Sequence, residues 1–305
     1  MGAAITQKEF DVLAALSEAG RPLSQRELAQ MTGHSLGTVN TLVRRLGEQG
    51  LIRDGYVSEE GFEKLEPYRV KRIVFMAAGF GARLVPVTLD IPKPLIPVRG
   101  KRLIDGMIDA ALAAGIEDIL IVRGYMGECF DVLKEKYPTI RFAENPDYAE
   151  ANNILSALKV RGELQNAYIS DADLLIHNPH ILKKYHYRSN FLGIYSERTD
   201  DWCFPVAKNG VILEERRGGL NCYRVIGISY WDAEDGARLA EDLETVAAMP
   251  GGKEYYWEQV PMAVLKDRYR LVIRPCTDSD IQEIDTFSEL KEIDPSYINY
   301  GGGKA

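Results

Sequence analysis

The run Ile73-Val74-Phe75-Met76-Ala77 is followed almost at once by glycines at 79 and 81. No other stretch constrains the fold as strongly. A short apolar run that ends in glycine reads as a strand buried on both faces, as in a parallel sheet. Glycines just past such a strand let the backbone approach a ligand, and the free N–H groups of such a loop suit an anion. Arg83 and Lys93 add positive charge around a proline-rich continuation. The stretch therefore reads as a polyphosphate cradle at the edge of a parallel sheet.

Two familiar phosphate loops do not fit. A Walker loop ends in Gly-Lys-Ser/Thr, which is missing here. A dinucleotide fingerprint needs a small residue three places after its second glycine, and that place holds Leu84. The order Ala77-Ala78-Gly79-Phe80-Gly81-Ala82-Arg83, then Pro92-Lys93-Pro94, does match another pattern. It resembles the signature of nucleotidyltransferases that join an NTP to a phosphorylated small molecule.

A length of 305 residues suggests two domains or one large one. A net charge of −8 argues against a surface that coats nucleic acid. Cys129, Cys203, Cys222 and Cys276 are scattered, without zinc spacing, and read as free thiols in a reducing cytoplasm. The sequence reads without a signal peptide or a run long enough to span a bilayer, so a cytoplasmic protein with no membrane partner is expected.

Residues 1–68 read as a separate module. Thr6-x-x-Glu9 and Ser24-x-x-Glu27 are capping-box starts, and Ser35 can cap a third helix. Phe10, Leu13, Ala14 and Leu16, then Leu28 and Met31, then Val39, Leu42, Val43 and Leu46 give the inward faces. Asp54-Gly55 predicts a hairpin wing. The module looks like a bacterial winged helix-turn-helix domain, with Leu36–Asn40 opening the recognition helix. Arg44, Arg45 and Arg53 are a thin cationic footprint for DNA. Two expectations stay open: DNA binding, or a dimerisation or docking module that would make the protein a homodimer.

From residue 69 to 298, strands and helices alternate. Helices are expected over 103–114, 128–137, 233–249 and 255–266, and from Asn152-Asn153 onward. Short, partly antiparallel strands are expected beyond Asn190. The fold class is α/β: a Rossmann-like nucleotidyltransferase domain with a mixed, mainly parallel sheet, behind a small winged-helix domain. Residues 299–305 read as a flexible tail. In such a sheet, ligands bind at the carboxyl ends of strands. The glycine loop and the Asp171-Ala172-Asp173 cluster both lie at such ends. Asp285 ends a later strand. Two carboxylates at strand ends suit a Mg²⁺ ion that keeps several waters and substrate phosphates, although a lone aspartate there is more often a cap or a solvated turn. His177, His180 and His186 read as loop or surface residues.

From Val70 to about Tyr297 the chain resembles bacterial CTP:phosphocholine cytidylyltransferases, a branch of the sugar-phosphate nucleotidyltransferases. The matching pieces are the glycine loop, Val122-Arg123-Gly124-Tyr125, Asn145-Pro146, Asn152-Asn153, Asp171-Ala172-Asp173, Asp201-Trp202, Gly227–Trp231, Tyr256-Trp257 and Glu283-Ile284-Asp285. The simplest members lack the winged-helix module. The resemblance implies transfer of CMP from CTP to phosphocholine, giving CDP-choline and pyrophosphate. It places CTP on Ala77, Ala78, Gly79, Gly81, Arg83, Lys93, Asn145, Asn153 and Asp171. Lys93, Arg83 and Asp173 would be catalytic, and Asp173 and Asp285 would hold Mg²⁺. Asn152, Asp201, Trp202, Tyr256 and Trp257 would meet the acceptor, with Glu258 as an alternative acid. A quaternary ammonium favours aromatic faces, while Trp231, in an apolar strand, reads as core. Open alternatives keep the chemistry with phosphoethanolamine, 2-aminoethylphosphonate or a sugar 1-phosphate. Another is a catalytically silent transcription factor that senses CTP or CDP-choline.

Overall fold

The computed structural model describes Ala4–Tyr300, so the tail expected at the C-terminus falls, from residue 301 on, outside the described residues. The chain divides into two compact units. One runs to Arg69 and also takes in Lys184–Tyr187; the other comprises Val70–Lys183 and the chain from Arg188.

The first unit contains α1 (Gln7–Ala19), α2 (Gln25–Thr32) and α3 (Leu36–Glu48). The wing strands β1 (Ile52–Arg53) and β2 (Tyr56–Val57) follow, and then α4 (Glu59–Leu65). Thr6 and Ser24 form full capping boxes, and Ser35 caps α3 through the Thr38 N–H. Phe10, Leu13, Leu16, Leu28, Val39, Leu42 and Leu46 fill the core. Met31, expected inside, is 48% exposed. The segment Lys184–Tyr187, which the sequence reading gave to the transferase domain, completes this unit. Tyr187 stacks on Tyr68 with ring centroids 5.2 Å apart, and the His186 N–H donates to the Tyr68 carbonyl at 2.9 Å. His186 is consequently buried instead of lying on the surface.

In the second unit, the strands in chain order are β3 (Arg72–Ala77), the small hairpin β4 (Pro97–Val98) and β5 (Lys101–Arg102), β6 (Asp118–Arg123) and β7 (Arg141–Glu144). Next come β8 (Ala167–Asp171), β9 (Leu174–Ile176), β10 (Asn190–Phe204), β11 (Arg216–Trp231), β12 (Val272–Cys276) and β13 (Ile281–Glu283). The helices are α5 (Leu103–Ala113), α6 (Leu133–Lys136), α7 (Ile154–Lys159), α8 (Ala233–Ala247) and α9 (Phe287–Ile293). The central sheet has seven strands in the order β12-β10-β11-β8-β3-β6-β7. Strands β8, β3, β6 and β7 are parallel neighbours, and β11 runs antiparallel between β8 and β10. Ile73 and Phe75 of β3 face the core with α5, while Val74 faces the other side with α7 and α8. Burial on both faces explains the unbroken apolar run.

Several expected elements differ. Residues 128–137 form a 3₁₀ stretch followed by the single turn α6, starting from Met126 at a left-handed φ of 48°. The helix expected over 255–266 is a π-turn, Val260–Val264, because Pro261 has no N–H for a regular ladder. The short strands expected beyond Asn190 merge into β10 and β11, whose pairing continues through polar residues with bulges. Residues 210–213 join the sheet only through isolated bridges.

Gly236 on α8 shows how closely this layer packs. A Cβ there would lie 2.4 Å from the Leu164 carbonyl oxygen and 2.8 Å from the Gln165 Cα. Backbone cannot swing aside as a side chain can. Gly236→Ala should therefore lower stability by about 1–3 kcal/mol despite alanine's better helix propensity. Denaturant unfolding followed by tryptophan fluorescence checks this; an unchanged or raised midpoint would refute the close-packing argument.

Candidate active site

Parallel pairing sets the ends of β3 and β8 side by side, with Met76 opposite Asp171. The glycine loop leaves the first strand and the aspartate cluster leaves the second. Between them opens a cleft of about 380 Å³ lined by Ala77, Ala78, Gly79, Gly81, Arg83 and Lys93 on one side. Asn153, Asp171, Asp173, Tyr256 and Asp285 line the other.

The loop is pinned from outside. The Tyr125 N–H donates to the Ala78 carbonyl at 3.0 Å, the Tyr125 hydroxyl to the Thr88 carbonyl at 3.0 Å, and the Thr88 hydroxyl to the Gly81 carbonyl at 3.1 Å. Gly81 has a φ of 68°, and a Cβ there would crowd Lys93 and Thr88 at 3.0–3.1 Å. Glycine satisfies both the backbone angle and the space.

Asp285 reaches Asp173 through β13, which pairs antiparallel with β9 with Glu283 opposite Leu174. Both carboxylates converge on one ammonium. Lys93 Nζ lies 2.6 Å from Asp173 Oδ2 and 3.4 Å from Asp285 Oδ1, and Arg83 pairs with the other oxygen of Asp285. Burial draws the Lys93 pKa down, but Asp173 and Asp285 outweigh it and hold it above its ordinary value. Asp171 is pushed well up, first by burial and then by the charges of Asp173 and Glu258. Glu283 is raised in the same way, by burial and then by Asp173 and Asp171. Gly227 leaves room for Asp171: a Cβ there would lie 1.7 Å from Asp171 Oδ2.

Among the described residues, no group of three or more His, Cys, Asp or Glu forms a ready metal cage. The Asp173–Asp285 pair nevertheless fits an ion that takes two protein carboxylates and fills its remaining positions with water and phosphate oxygens. Asp173 Oδ1 is buried without a hydrogen-bond partner, an orphaned acceptor at the right place.

A second lobe of about 540 Å³ shares Arg83, Asn153, Asp171, Asp173, Tyr256 and Asp285 with the first. It adds Asp201, Trp202, Glu215, Arg217, Glu258 and Glu283. Burial, and then the charge of Glu215, raises the Glu258 pKa, and burial alone pushes Glu215 up to about 7. Trp202 and Tyr256 are 37% and 47% exposed, so their rings are open to a ligand.

Three residues expected at the site are elsewhere. Trp257 is 2% exposed and stacks on Phe191 with centroids 6.3 Å apart; it packs in the core beside Trp231, which is core as expected. Its place follows from its backbone N–H, held at 2.8 Å by Asn153 Oδ1. Asn145 is buried behind Ser156, to which its amide donates at 2.9 Å. Asn152 spends its donors on the carbonyls of Lys253 and Glu254. Conversely, sequence reasoning missed Glu215, Arg217 and Glu283. Glu215 and Arg217 lie in the run Glu214-Glu215-Arg216-Arg217-Gly218, which looks like any solvated charged turn.

Comparison with known proteins places this geometry. Residues 5–53 match the model of winged helix-turn-helix DNA-binding domains, and residues 72–139 match that of nucleotidyl transferases. A 2-aminoethylphosphonate cytidylyltransferase of Lancefieldella rimae is 36% identical over 228 residues, covering 74% of this chain and 92% of the relative. A choline-phosphate cytidylyltransferase of Streptococcus pneumoniae is 29% identical over 228 residues, 73% of this chain and 96% of that one. The solved structure of CTP:phosphocholine cytidylyltransferase from Streptococcus pneumoniae superposes with a TM-score of 0.68 at 29% identity, covering 75% of this chain and 99% of that one. With its glycine loop, its lysine and its facing aspartates on a shared fold, the chain belongs to the nucleotidyl transferase family, among its cytidylyltransferases.

Proposed function

We propose that the protein transfers CMP from CTP to a small phosphonate or phosphate bearing a primary ammonium, with 2-aminoethylphosphonate as the acceptor favoured over phosphocholine. One observation carries this reading: the acceptor lobe is lined by the carboxylates Asp201, Glu215 and Glu258. The aromatic cage expected for choline has lost Trp257 to the core. A primary ammonium donates hydrogen bonds to carboxylates, whereas a quaternary one has none to give and favours aromatic faces. The relative from Lancefieldella rimae supports the same choice. Trp202 and Tyr256 keep phosphocholine as the second reading.

In this reading the glycine loop cradles the triphosphate and Arg83 meets its leaving end. Lys93 sits where the α-phosphate would come. The acceptor's phosphonate oxygen is already anionic at neutral pH, so attack needs no general base. Catalysis is alignment for in-line displacement of pyrophosphate together with charge neutralisation. Asp173 and Asp285 would hold Mg²⁺, which when bound supplies further neutralisation of the phosphates. Asp171, behind them, would orient Asp173. The winged-helix unit gives DNA as a further candidate partner through its fold. Its arginines weigh against tight binding, since Arg45 pairs with Glu9 at 2.8 Å and Arg53 with Glu60 at 2.8 Å.

Pyrophosphate release measured with Mg²⁺ across four NTPs and four acceptors (2-aminoethylphosphonate, phosphoethanolamine, phosphocholine and glucose 1-phosphate) should peak with CTP and 2-aminoethylphosphonate. A peak with phosphocholine or glucose 1-phosphate would overturn the acceptor assignment. Asp173→Asn should lower kcat by at least about a hundredfold. The substitution also removes the charge 2.6 Å from the buried Lys93 ammonium, so the unfolding midpoint is measured alongside to separate misfolding from lost turnover; normal turnover would remove the metal assignment.

The acceptor KM should also depend on pH. Glu215 is pushed up to about 7 and Glu258 is raised as well, so both are largely protonated in mildly acid solution. An ammonium binds the ionised pair better. The KM should therefore fall on the order of tenfold from pH 6 to 8, while the KM for CTP changes little. A flat acceptor profile would mean that the pair does not meet the ammonium.

A further inference from the structure

Glu214 and Glu215 are neighbours with opposite surroundings. Glu214 turns to cations: Arg216 lies 3.7 Å away and Lys266 3.9 Å away. Glu215 lines the acceptor lobe, and among the described residues its carboxylate has no hydrogen bond or ion pair. Its position is fixed by backbone. The Glu215 N–H donates to the Met262 carbonyl at 3.3 Å, and the Met262 N–H donates to the Glu258 carbonyl at 3.1 Å. One residue of the π-turn thus holds both glutamates at the wall of one lobe, where Glu258 Oε2 is buried without a partner.

Two half-buried carboxylates in one wall, with acceptor positions that the protein leaves unused, suit a ligand that supplies N–H donors. A site of that kind separates ligands by what they can donate. An analogue that lacks the donor leaves the oxygens unsatisfied and is rejected far more strongly than a misfit of shape alone would produce. Trimethylammonium is such an analogue. Its methyl groups would stand against Glu215 in place of hydrogens.

We propose that Glu215 sets the nitrogen class of the acceptor, accepting a hydrogen bond from a primary ammonium and thereby excluding the trimethylated one. This rests on the ammonium-bearing acceptor proposed above. Glu258 serves the same lobe but is also held by the Asn153 side chain. Glu215 has no such partner and is the freer of the two to answer to the ligand.

The test measures kcat and KM for 2-aminoethylphosphonate, phosphoethanolamine and phosphocholine with the full chain as wild type, Glu215→Gln and Glu215→Asp. Glu215→Gln should raise the KM for 2-aminoethylphosphonate on the order of a hundredfold. It should also lower the preference over phosphocholine at least about tenfold and leave the KM for CTP unchanged, with Glu215→Asp recovering part of the preference. Proportional losses with all three acceptors, or an unchanged preference, would overturn the assignment. Wild type that prefers 2-aminoethylphosphonate while Glu215→Gln keeps its preference refutes the role of Glu215 alone. Wild type that prefers phosphocholine refutes both this role and the parent reading. The unfolding midpoint of each variant separates misfolding from a change of specificity, and a misfolded Glu215→Gln leaves Glu215→Asp to decide: unchanged selectivity there counts against the proposal.

Discussion

Everything in the cleft is arranged around the Lys93 ammonium. It is buried, and it stands 2.6 Å from Asp173 and 3.4 Å from Asp285. Asp171, Glu283 and Glu258 crowd behind these two, and burial together with mutual repulsion lifts their proton affinities. One lysine cannot neutralise so many carboxyls, and buried charges are tolerated only when paired. The cleft carries more carboxyls than cations at the point where, on the proposed reading, the anionic triphosphate settles. The glycine-loop backbone and Arg83 answer part of that need. On the proposed reading the rest arrives with the ligands, as a divalent cation on the nucleotide side and an ammonium on the acceptor side. The two lobes thus form one electrostatic unit in which each ligand supplies charge that the other site lacks.

The fold makes this possible by bringing distant parts of the chain to one edge. Parallel β3 and β8 deliver the loop and the aspartate cluster together, as strands of this kind do at their carboxyl ends. Asp285 depends instead on a two-stranded antiparallel pair outside the central sheet, β9 with β13. The two carboxylates that face Lys93 therefore ride on different supports. Asp173 follows the rigid centre of the sheet, and Asp285 follows a short ribbon that continues into α9 through the capping box at Thr286.

What could be read from sequence was what local chemistry dictates. The β3 run, the glycine loop, the three capped helices of the first unit and the Asp54-Gly55 turn each announce themselves within a few residues. Asp173 and Asp285 can be singled out together as carboxylates at strand ends, but nothing local says that β9 and β13 meet. Trp257 was assigned to the ligand by its residue type, but a tryptophan goes wherever the most apolar surface can be buried. Asn145 and Asn152 come to the site through the resemblance, and both are instead taken up by hydrogen bonds within the fold. Glu215 was invisible because its sequence neighbours are all charged, and only the turn at Pro261 decides which of them points inward.

The short segment Lys184–Tyr187 has a consequence for how such a protein can be assembled or dismantled. It lies in the middle of the transferase sequence, yet it completes the core of the winged-helix unit through Tyr185 and Tyr187. The covalent chain therefore passes between the units at Arg69–Val70, again at Lys183–Lys184, and a third time at Tyr187–Arg188. Removing everything before Val70 would strand two aromatic rings without the partner they were shaped to meet. Grafting the first sixty-nine residues onto another protein would leave a hole where those rings belong. The module is not a bead added to one end of an enzyme, because part of its fold is written inside the enzyme's own sequence, in the loop after Lys183.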